Sequence, residues 1–131
     1  MQAYLLDTQV ALWIMTGDER LKESDFIRRF KPNDNQFIFH QVSTWEIQIK
    51  YSLGKLSLPK KPENFLLDAA RESGFNYQTI DDRAIFMLDK LPKIHNDPFD
   101  KLLISHAIIN GWRVISSDQK FEQYPISLEM V

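Results

Sequence analysis

The sequence contains no cysteine among its 131 residues, and it has only four glycines and six prolines. Without cysteine the chain has neither disulfide bonds nor thiolate metal ligands, which fits a reducing compartment such as the cytoplasm. No apolar run approaches the roughly 20 residues that a membrane span needs. The N-terminal MQAYLLDTQ also lacks the basic start of a signal peptide. We therefore expect a cytoplasmic protein with no membrane segment.

The chain also lacks an excess of either charge, because 16 Lys and Arg stand against 18 Asp and Glu. A protein that binds nucleic acid through a broad surface is usually basic, so this balance argues against such binding. It is compatible with a nucleic-acid enzyme, in which a cluster of metal-binding acids lowers the net charge. The length and the 44% hydrophobic content predict a single domain, residues 1–131, with a substantial core.

Short apolar segments alternate with segments of helical periodicity, which is the pattern of a parallel sheet covered by helices on both faces. The predicted strands are residues 3–7, 36–40, 76–80, 113–116 and 126–128. The predicted helices are residues 8–15, about 24–30, 44 to about 53, 62 to about 73, 81 or 82 to about 91, and 98–110. Thr8 is a candidate cap of the first helix, and Ser43 or Thr44 of the third. The expected fold class is therefore α/β.

The segment HNDPFDKLLISHAIINGW, residues 95–112, places two aspartates ahead of an apolar run. Asp97 suits the N-cap of a helix, Pro98 its first position, and Gly111 its end. Asp100 also suits the first turn, but it shares a face with the apolar residues three and four positions later. An unpaired charge on that face is costly, so we expect a basic side chain or a metal ion beside Asp100.

Three further acids are predicted to lie at the same edge of the sheet as Asp100. Asp7 closes the first strand, Asp118 follows the strand at 113–116, and Glu46 lies on the inward face of a helix near its start. Sites in open parallel sheets form outside the carboxyl ends of the strands. Carboxylates that converge there repel one another, and Mg²⁺ or Mn²⁺ would join them. The alternative is that each acid is satisfied separately, as a helix cap or in a salt bridge.

The aromatic and basic residues near these acids have two interpretations each. Trp13, Trp45 and Phe99 fit core packing better than base stacking, and Trp45 falls on the predicted inward face of its helix. Lys50 and Lys55 are candidates for binding RNA phosphates, and the alternative is a solvated helix end and loop. The three histidines lack the spacing of a zinc site.

Four segments in order carry a resemblance to a known family: LLDTQVALW, STWEIQIKYSLGKL, HNDPFDKLLISHA and ISSDQKFEQYP. Together they resemble the PIN-domain ribonucleases, in particular the VapC-like toxins of bacterial toxin–antitoxin pairs, from Tyr4 to about Pro125. The resemblance implies a doubly wound α/β fold with a central, mainly parallel sheet. It also implies a Mg²⁺- or Mn²⁺-dependent endoribonuclease that hydrolyses RNA. Such proteins are commonly homodimers that a small antitoxin protein holds inactive.

The resemblance assigns roles to particular residues of this chain. Carried over by position, the family's four catalytic and metal-binding acids fall on Asp7, Glu46, Asp100 and Asp118. We expect Asp7 and Asp100 to bind the metal directly, and Asp118 and Glu46 to hold metal-bound waters or a second ion. Candidates for supporting roles are Thr8, Asp97 and Ser116. Two other functions stay open: a housekeeping RNA-processing nuclease with the same site, and a catalytically silent PIN-like RNA-binding module.

Overall fold

The computed structural model describes residues 2–30 and 35–131. Its strands are β1 (Ala3–Leu6), β2 (Gln36–His40), β3 (Asn76–Gln78), β4 (Arg113–Ser116) and β5 (Leu128–Met130). They form one sheet in the order β3-β2-β1-β4-β5, and all four pairings are parallel. The prediction of an α/β fold around a parallel sheet is confirmed.

Helices connect these strands, as parallel neighbours require. The helices in the described part of the chain are α1 (Thr8–Thr16), α2 (Glu23–Phe30), α3 (Gln41–Ser52), α4 (Pro62–Glu72), α5 (Asp82–Met87) and α6 (Pro98–Asn110). Two short 3-10 helices follow α5 and β4, at Leu88–Lys90 and Gln119–Gln123. None of the helices within 2–30 and 35–131 has the length and apolar character to span a bilayer.

The sheet separates two cores, because successive side chains of a strand point to opposite faces. Leu6, Phe37 and Phe39 pack with α1, α2 and α4 on one face. Leu5 and Ile38 pack with α5 and α6 on the other. Both faces of β1 and β2 are therefore buried, which explains why these strands read as continuous apolar runs.

The strand order creates a crevice at the centre of the sheet. From β1 the chain proceeds to β2 and β3 on one side, and it then returns to add β4 and β5 on the other side of β1. The connections on the two sides of β1 therefore lead away from each other beyond the carboxyl ends of β1 and β4. Asp7 follows β1 directly, and Asp118 stands two residues after β4.

Several predicted boundaries were wrong, and two of the errors concern capping groups. Asp7, not Thr8, caps α1, since its carboxylate accepts the backbone N–H of Val10 at 2.7 Å. The helix α3 begins at Gln41 rather than at Thr44, because the ring of His40 caps it. Strand β3 ends two residues earlier than predicted, β5 begins two residues later, and the helix predicted to reach residue 91 ends at Met87.

The predicted core position of Trp45 was also wrong. Its side chain is 50% exposed, and its ring packs edge-on against Phe99 with the centroids 5.0 Å apart. The buried face of α3 instead consists of Val42, Ser43, Glu46 and Ile47. Glu46 points inward, and this orientation turns Trp45 outward.

Candidate functional site

A cleft of about 430 Å³ lies at the carboxyl edge of the sheet. All four acids proposed for the site line it, and they come from four segments of the chain: Asp7, Glu46, Asp100 and Asp118. Thr8, Asp97, Lys50 and Lys55 line it as well. The structure therefore brings together residues that are spread over more than a hundred positions of the sequence.

Asp7 is held rigidly by backbone and side-chain donors. The residue is only 4% exposed. One oxygen accepts the N–H of Val10 at 2.7 Å, and the other accepts the hydroxyl of Ser116 and the N–H of Ser117, the latter at 3.2 Å. Burial raises the pKa of Asp7, the hydrogen bonds lower it, and the charge of Asp118 raises it further, with a net upward shift. The structure thus fixes this carboxylate in place at the cost of desolvation.

Ser116 connects two of the acids. Its buried hydroxyl donates to Asp7 and accepts the backbone N–H of Asp118 at 2.9 Å. Asp118 in turn caps the 3-10 helix that follows, through the N–H of Lys120 at 2.9 Å. The last residue of β4 therefore sets the positions of the acids after both β1 and β4.

Glu46 is buried at 5% exposure and is satisfied on both carboxylate oxygens. The Thr8 hydroxyl donates to Oε1 at 2.7 Å, and Lys50 Nζ donates to Oε2 at 2.7 Å. Thr8 Oγ1 also lies 2.8 Å from the hydroxyl oxygen of Ser43. Because the single proton of Thr8 is given to Glu46, Ser43 must donate to Thr8. This chain of hydrogen bonds joins the first turns of α1 and α3.

The two aspartates at the start of α6 differ in their surroundings. Asp97 caps the helix, and its Oδ1 accepts the N–H of Phe99 at 2.9 Å and that of Asp100 at 3.1 Å. Asp100 extends into the cleft. Burial, and then the charge of Asp97 and of the other cleft acids, raises the pKa of Asp100 to about 8. Among residues 2–30 and 35–131, the salt bridges include no basic partner for Asp100.

This donor set suits a hydrated divalent cation. In the part of the chain that is described, no three Asp, Glu or His side chains are gathered tightly enough to hold an ion by themselves. Mg²⁺ needs only one or two direct carboxylates and keeps several of its waters. The ligands available in the cleft are oxygens, and within the described residues Asp100 is a carboxylate that makes no salt bridge. The residues present therefore fit Mg²⁺ or Mn²⁺ better than a softer metal.

Sequence reasoning missed some features of the cleft. Ser43 was considered only as a helix cap, and its buried position beside Thr8 depends on where α1 and α3 meet. The ion pair of Lys50 with Glu46 has a signal in the sequence, since the two residues are four positions apart on one helix. Lys50 and Lys55, taken as candidates for RNA binding, do line the cleft.

The histidines lie outside the acid cluster or at its border. The rings of His40 and His106 pack against each other with centroids 4.0 Å apart, and burial lowers the pKa of both. His95 accepts the backbone N–H of Asp97 at 3.1 Å through Nδ1. Of these contacts, only the hydrogen bond of His95 reaches a residue that lines the cleft, Asp97.

Comparison with known proteins places the chain among related folds. The family model described as PIN domain matches residues 4–126. The fold is similar to a chain of VapBC2 from Rickettsia felis bound to a DNA fragment from their promoter, at 18% identity and a TM-score of 0.73, over 98% of both chains. It is also similar to a chain of DNA-bound VapBC from Salmonella typhimurium, at 19% identity and a TM-score of 0.67, over 99% of this chain and 98% of that one.

A third similar structure is VapBC-5 from Mycobacterium tuberculosis, a member of the VapBC family of toxin–antitoxin systems. The identity is 18% and the TM-score 0.56, over 100% of this chain and 98% of that one. At such identities the likeness shows a shared fold. A comparison with curated proteins found no match.

We expect Asp100→Asn to stabilise the metal-free protein, and increasingly so as the pH rises from about 4 to about 8. Folding raises the pKa of Asp100 from 3.8 to about 8, so the folded protein holds this proton more tightly than the unfolded chain. Ionisation of Asp100 therefore costs stability progressively between those values, and in full above the higher one. Asparagine cannot ionise. Urea unfolding in EDTA at about pH 4.5 and about pH 8 measures the difference.

Asp89→Asn is the matched control, because Asp89 is an exposed aspartate in the first 3-10 helix. We expect its stability to follow that of the wild-type protein at both pH values. The electrostatic explanation would be contradicted if Asp100→Asn increased the free energy of unfolding equally at the two pH values. A decrease at the higher pH would contradict it as well.

Proposed function

The chain belongs to the PIN domain family, and on this premise we propose that it is a divalent-metal-dependent endoribonuclease, the toxin of a toxin–antitoxin pair. The observation that carries the proposal is the convergence of Asp7, Glu46, Asp100 and Asp118 on one cleft. Their mutual repulsion raises the pKa of Asp100, which burial has already raised, so the cluster costs stability. A bound cation would neutralise these charges and so offset the loss of stability.

The proposed metal is Mg²⁺ or Mn²⁺, with Asp7 and Asp100 as direct ligands. Asp118 and Glu46 would hold waters of that ion, or a second ion. When bound, the ion supplies a more acidic water and a counter-charge for the phosphodiester. The protein contributes fixed positions: Ser116 orients Asp7, and the hydroxyl of Thr8 orients Glu46.

The substrate side of the cleft is proposed to bind RNA through its basic residues. Lys50 and Lys55 line the same cleft as the acids, so a phosphate that approaches the metal site also approaches their ammonium groups. Contacts to phosphates carry no base preference, and they position the backbone for cleavage. The proposed substrate is therefore an RNA held by its backbone at the scissile bond.

The proposal of a toxin with an antitoxin partner rests on the related structures. The structures similar in fold include VapBC chains, and one of these is described as a toxin–antitoxin system. In such a pair the partner of this chain is a small protein that blocks the cleft or its approach. A housekeeping RNA-processing nuclease would have the same acids and no dedicated inhibitor.

We also propose that the chain forms a homodimer through α3. Trp45, Ile49 and Leu53 are spaced four residues apart, and they are 50%, 37% and 62% exposed. They therefore form an apolar stripe on the outer side of α3 and at its C-terminal end. A second copy of the chain would remove this stripe from water.

We expect the purified protein to cleave RNA only when Mg²⁺ or Mn²⁺ is present. The assay is a panel of structured RNAs incubated with either metal or with EDTA, and analysed on denaturing gels. Asp7→Asn keeps the size of the side chain but removes its charge, so its cleavage rate should fall at least about 100-fold while its circular dichroism is unchanged. Asp89→Asn is the control for a charge change outside the cleft. Wild-type cleavage by Asp7→Asn would refute the assignment of the site.

We expect expression of the wild-type chain to arrest bacterial growth, and expression of Asp7→Asn to permit it. A toxin acts on RNAs that the cell needs, and its arrest should be relieved when a small antitoxin encoded beside it is expressed together with it. The measurement is colony formation under an inducible promoter, with the level of each protein followed on blots. Normal growth with an active wild-type enzyme would favour the housekeeping nuclease instead.

We expect Ile49→Asp to convert a dimer into a monomer, because it places a charge in the centre of the proposed apolar interface. Sedimentation velocity measures the mass of both proteins at several concentrations. Ile27→Asp is the matched control, since Ile27 on α2 is 42% exposed and lies on another helix. The assignment of α3 as the dimer interface would be contradicted by a wild-type protein that is monomeric at all concentrations. A dimer that persists in Ile49→Asp would contradict it too.

A further inference from the structure

The acidic cleft already holds a cation that belongs to the protein itself. Lys50 Nζ lies 2.7 Å from Oε2 of Glu46, and the two residues are four positions apart on α3. This spacing places both side chains on the same face of the helix, so the pair is set by local geometry. The side chain of Glu46 is 6% exposed and that of Lys50 is 51% exposed. The ion pair therefore lies at the border between the cleft and solvent.

The two partners of this pair differ in their freedom to move. Glu46 is held in place independently of Lys50, because its other oxygen, Oε1, accepts the hydroxyl of Thr8 at 2.7 Å. Lys50 has a flexible four-carbon stem, and its ammonium group donates a hydrogen bond to Oε2 of Glu46 at 2.7 Å. An ion pair that is half open to water is weak, so the ammonium group can leave at little cost while Glu46 stays in place.

Other acids act on the same ammonium group. Partial burial lowers the pKa of Lys50, but the hydrogen bond and charge of Glu46, with the charges of Asp97 and Asp100, raise it overall. The ammonium group thus lies in the field of the carboxylates that would receive a divalent ion. A unit charge this close to a bound divalent cation is repelled by it.

We propose that Lys50 is a built-in counter-cation, which neutralises the acidic cleft while no metal is bound and turns to an RNA phosphate when an ion enters. The inference rests on the proposed function, because it needs a metal site and an RNA substrate in the same cleft. It gives Lys50 two successive partners, first the carboxylate of Glu46 and then a phosphate oxygen. Lys50 thereby couples metal loading to substrate binding.

A purely structural role for Lys50 predicts the opposite effect on metal binding. If Lys50 served only to hold Glu46 in position for the ion, its removal would loosen a ligand and weaken the affinity for metal. If Lys50 competes with the ion for the cleft, its removal must strengthen that affinity. The sign of the change in metal affinity therefore separates the two roles, independently of catalysis.

The test compares Lys50→Met with the wild-type protein by calorimetric titration of Mn²⁺ in the absence of RNA. We expect Lys50→Met to bind Mn²⁺ about five- to tenfold more tightly, because a competing positive charge has gone. The metal-free variant should melt at a lower temperature, since the acids lose their counter-charge. Its kcat/KM for RNA should fall at least about tenfold, through a higher KM.

Two further variants control the comparison. Lys50→Arg keeps the charge, so its Mn²⁺ affinity should stay within about twofold of the wild-type value. Lys90→Met removes an exposed lysine of the first 3-10 helix, and we expect it to match the wild-type protein in all three measurements. If Lys50→Met does not fold, Lys50→Gln replaces it with the same expected results.

The possible results distinguish a failure of the role of Lys50 from a failure of the proposed function. Unchanged or weaker Mn²⁺ binding by Lys50→Met, in a protein that cleaves RNA and loses cleavage on Asp7→Asn, overturns the role of Lys50 alone. A wild-type protein that neither binds Mn²⁺ nor cleaves RNA overturns the proposed function, and the role of Lys50 with it. Tighter Mn²⁺ binding together with a higher KM for RNA supports both.

Discussion

Repulsion between carboxylates at the carboxyl edge of β1 and β4 governs how this part of the molecule is built. The pKa of Asp100 is raised to about 8, first by burial and then by the negative charges around it. The other acids in the cleft are fixed by donors: backbone N–H groups at Asp7, Asp97 and Asp118, and hydroxyl groups at Asp7 and Glu46. These donors keep the carboxylates from moving apart, so negative charge stays concentrated in the cleft. In the proposed function, that charge attracts the cation.

The fold supplies these donors because helices begin where parallel strands end. A helix leaves free N–H groups in its first turn, and Asp7, Asp97 and Asp118 each accept hydrogen bonds from such groups. The same N–H groups favour negative charge through the helix dipole. Asp7 and Asp118 therefore serve both as local caps and as members of the proposed metal site, so the two interpretations offered by the sequence are not exclusive.

Local signals in the sequence predicted most of the elements, and the contacts between distant segments lay beyond them. The limits of α6 follow from Asp97 and Gly111, which act within one turn of the helix. The bond from Thr8 to Glu46 joins residues 38 positions apart and depends on how α1 and α3 pack. The start of α3 was misplaced because an imidazole ring, at His40, does what a hydroxyl was expected to do.

The hydrogen bond between Ser116 and Asp7 spans 109 positions of the chain, because β4 lies beside β1 in the sheet although β2 and β3 come between them in the sequence. A polypeptide still emerging from the ribosome carries Asp7 and Glu46 long before it carries Asp100 and Asp118. The four acids cannot meet until synthesis has passed residue 118 and β4 has been inserted. A nascent chain that has not yet reached Asp118 therefore lacks the complete cleft, and with it the proposed nuclease activity.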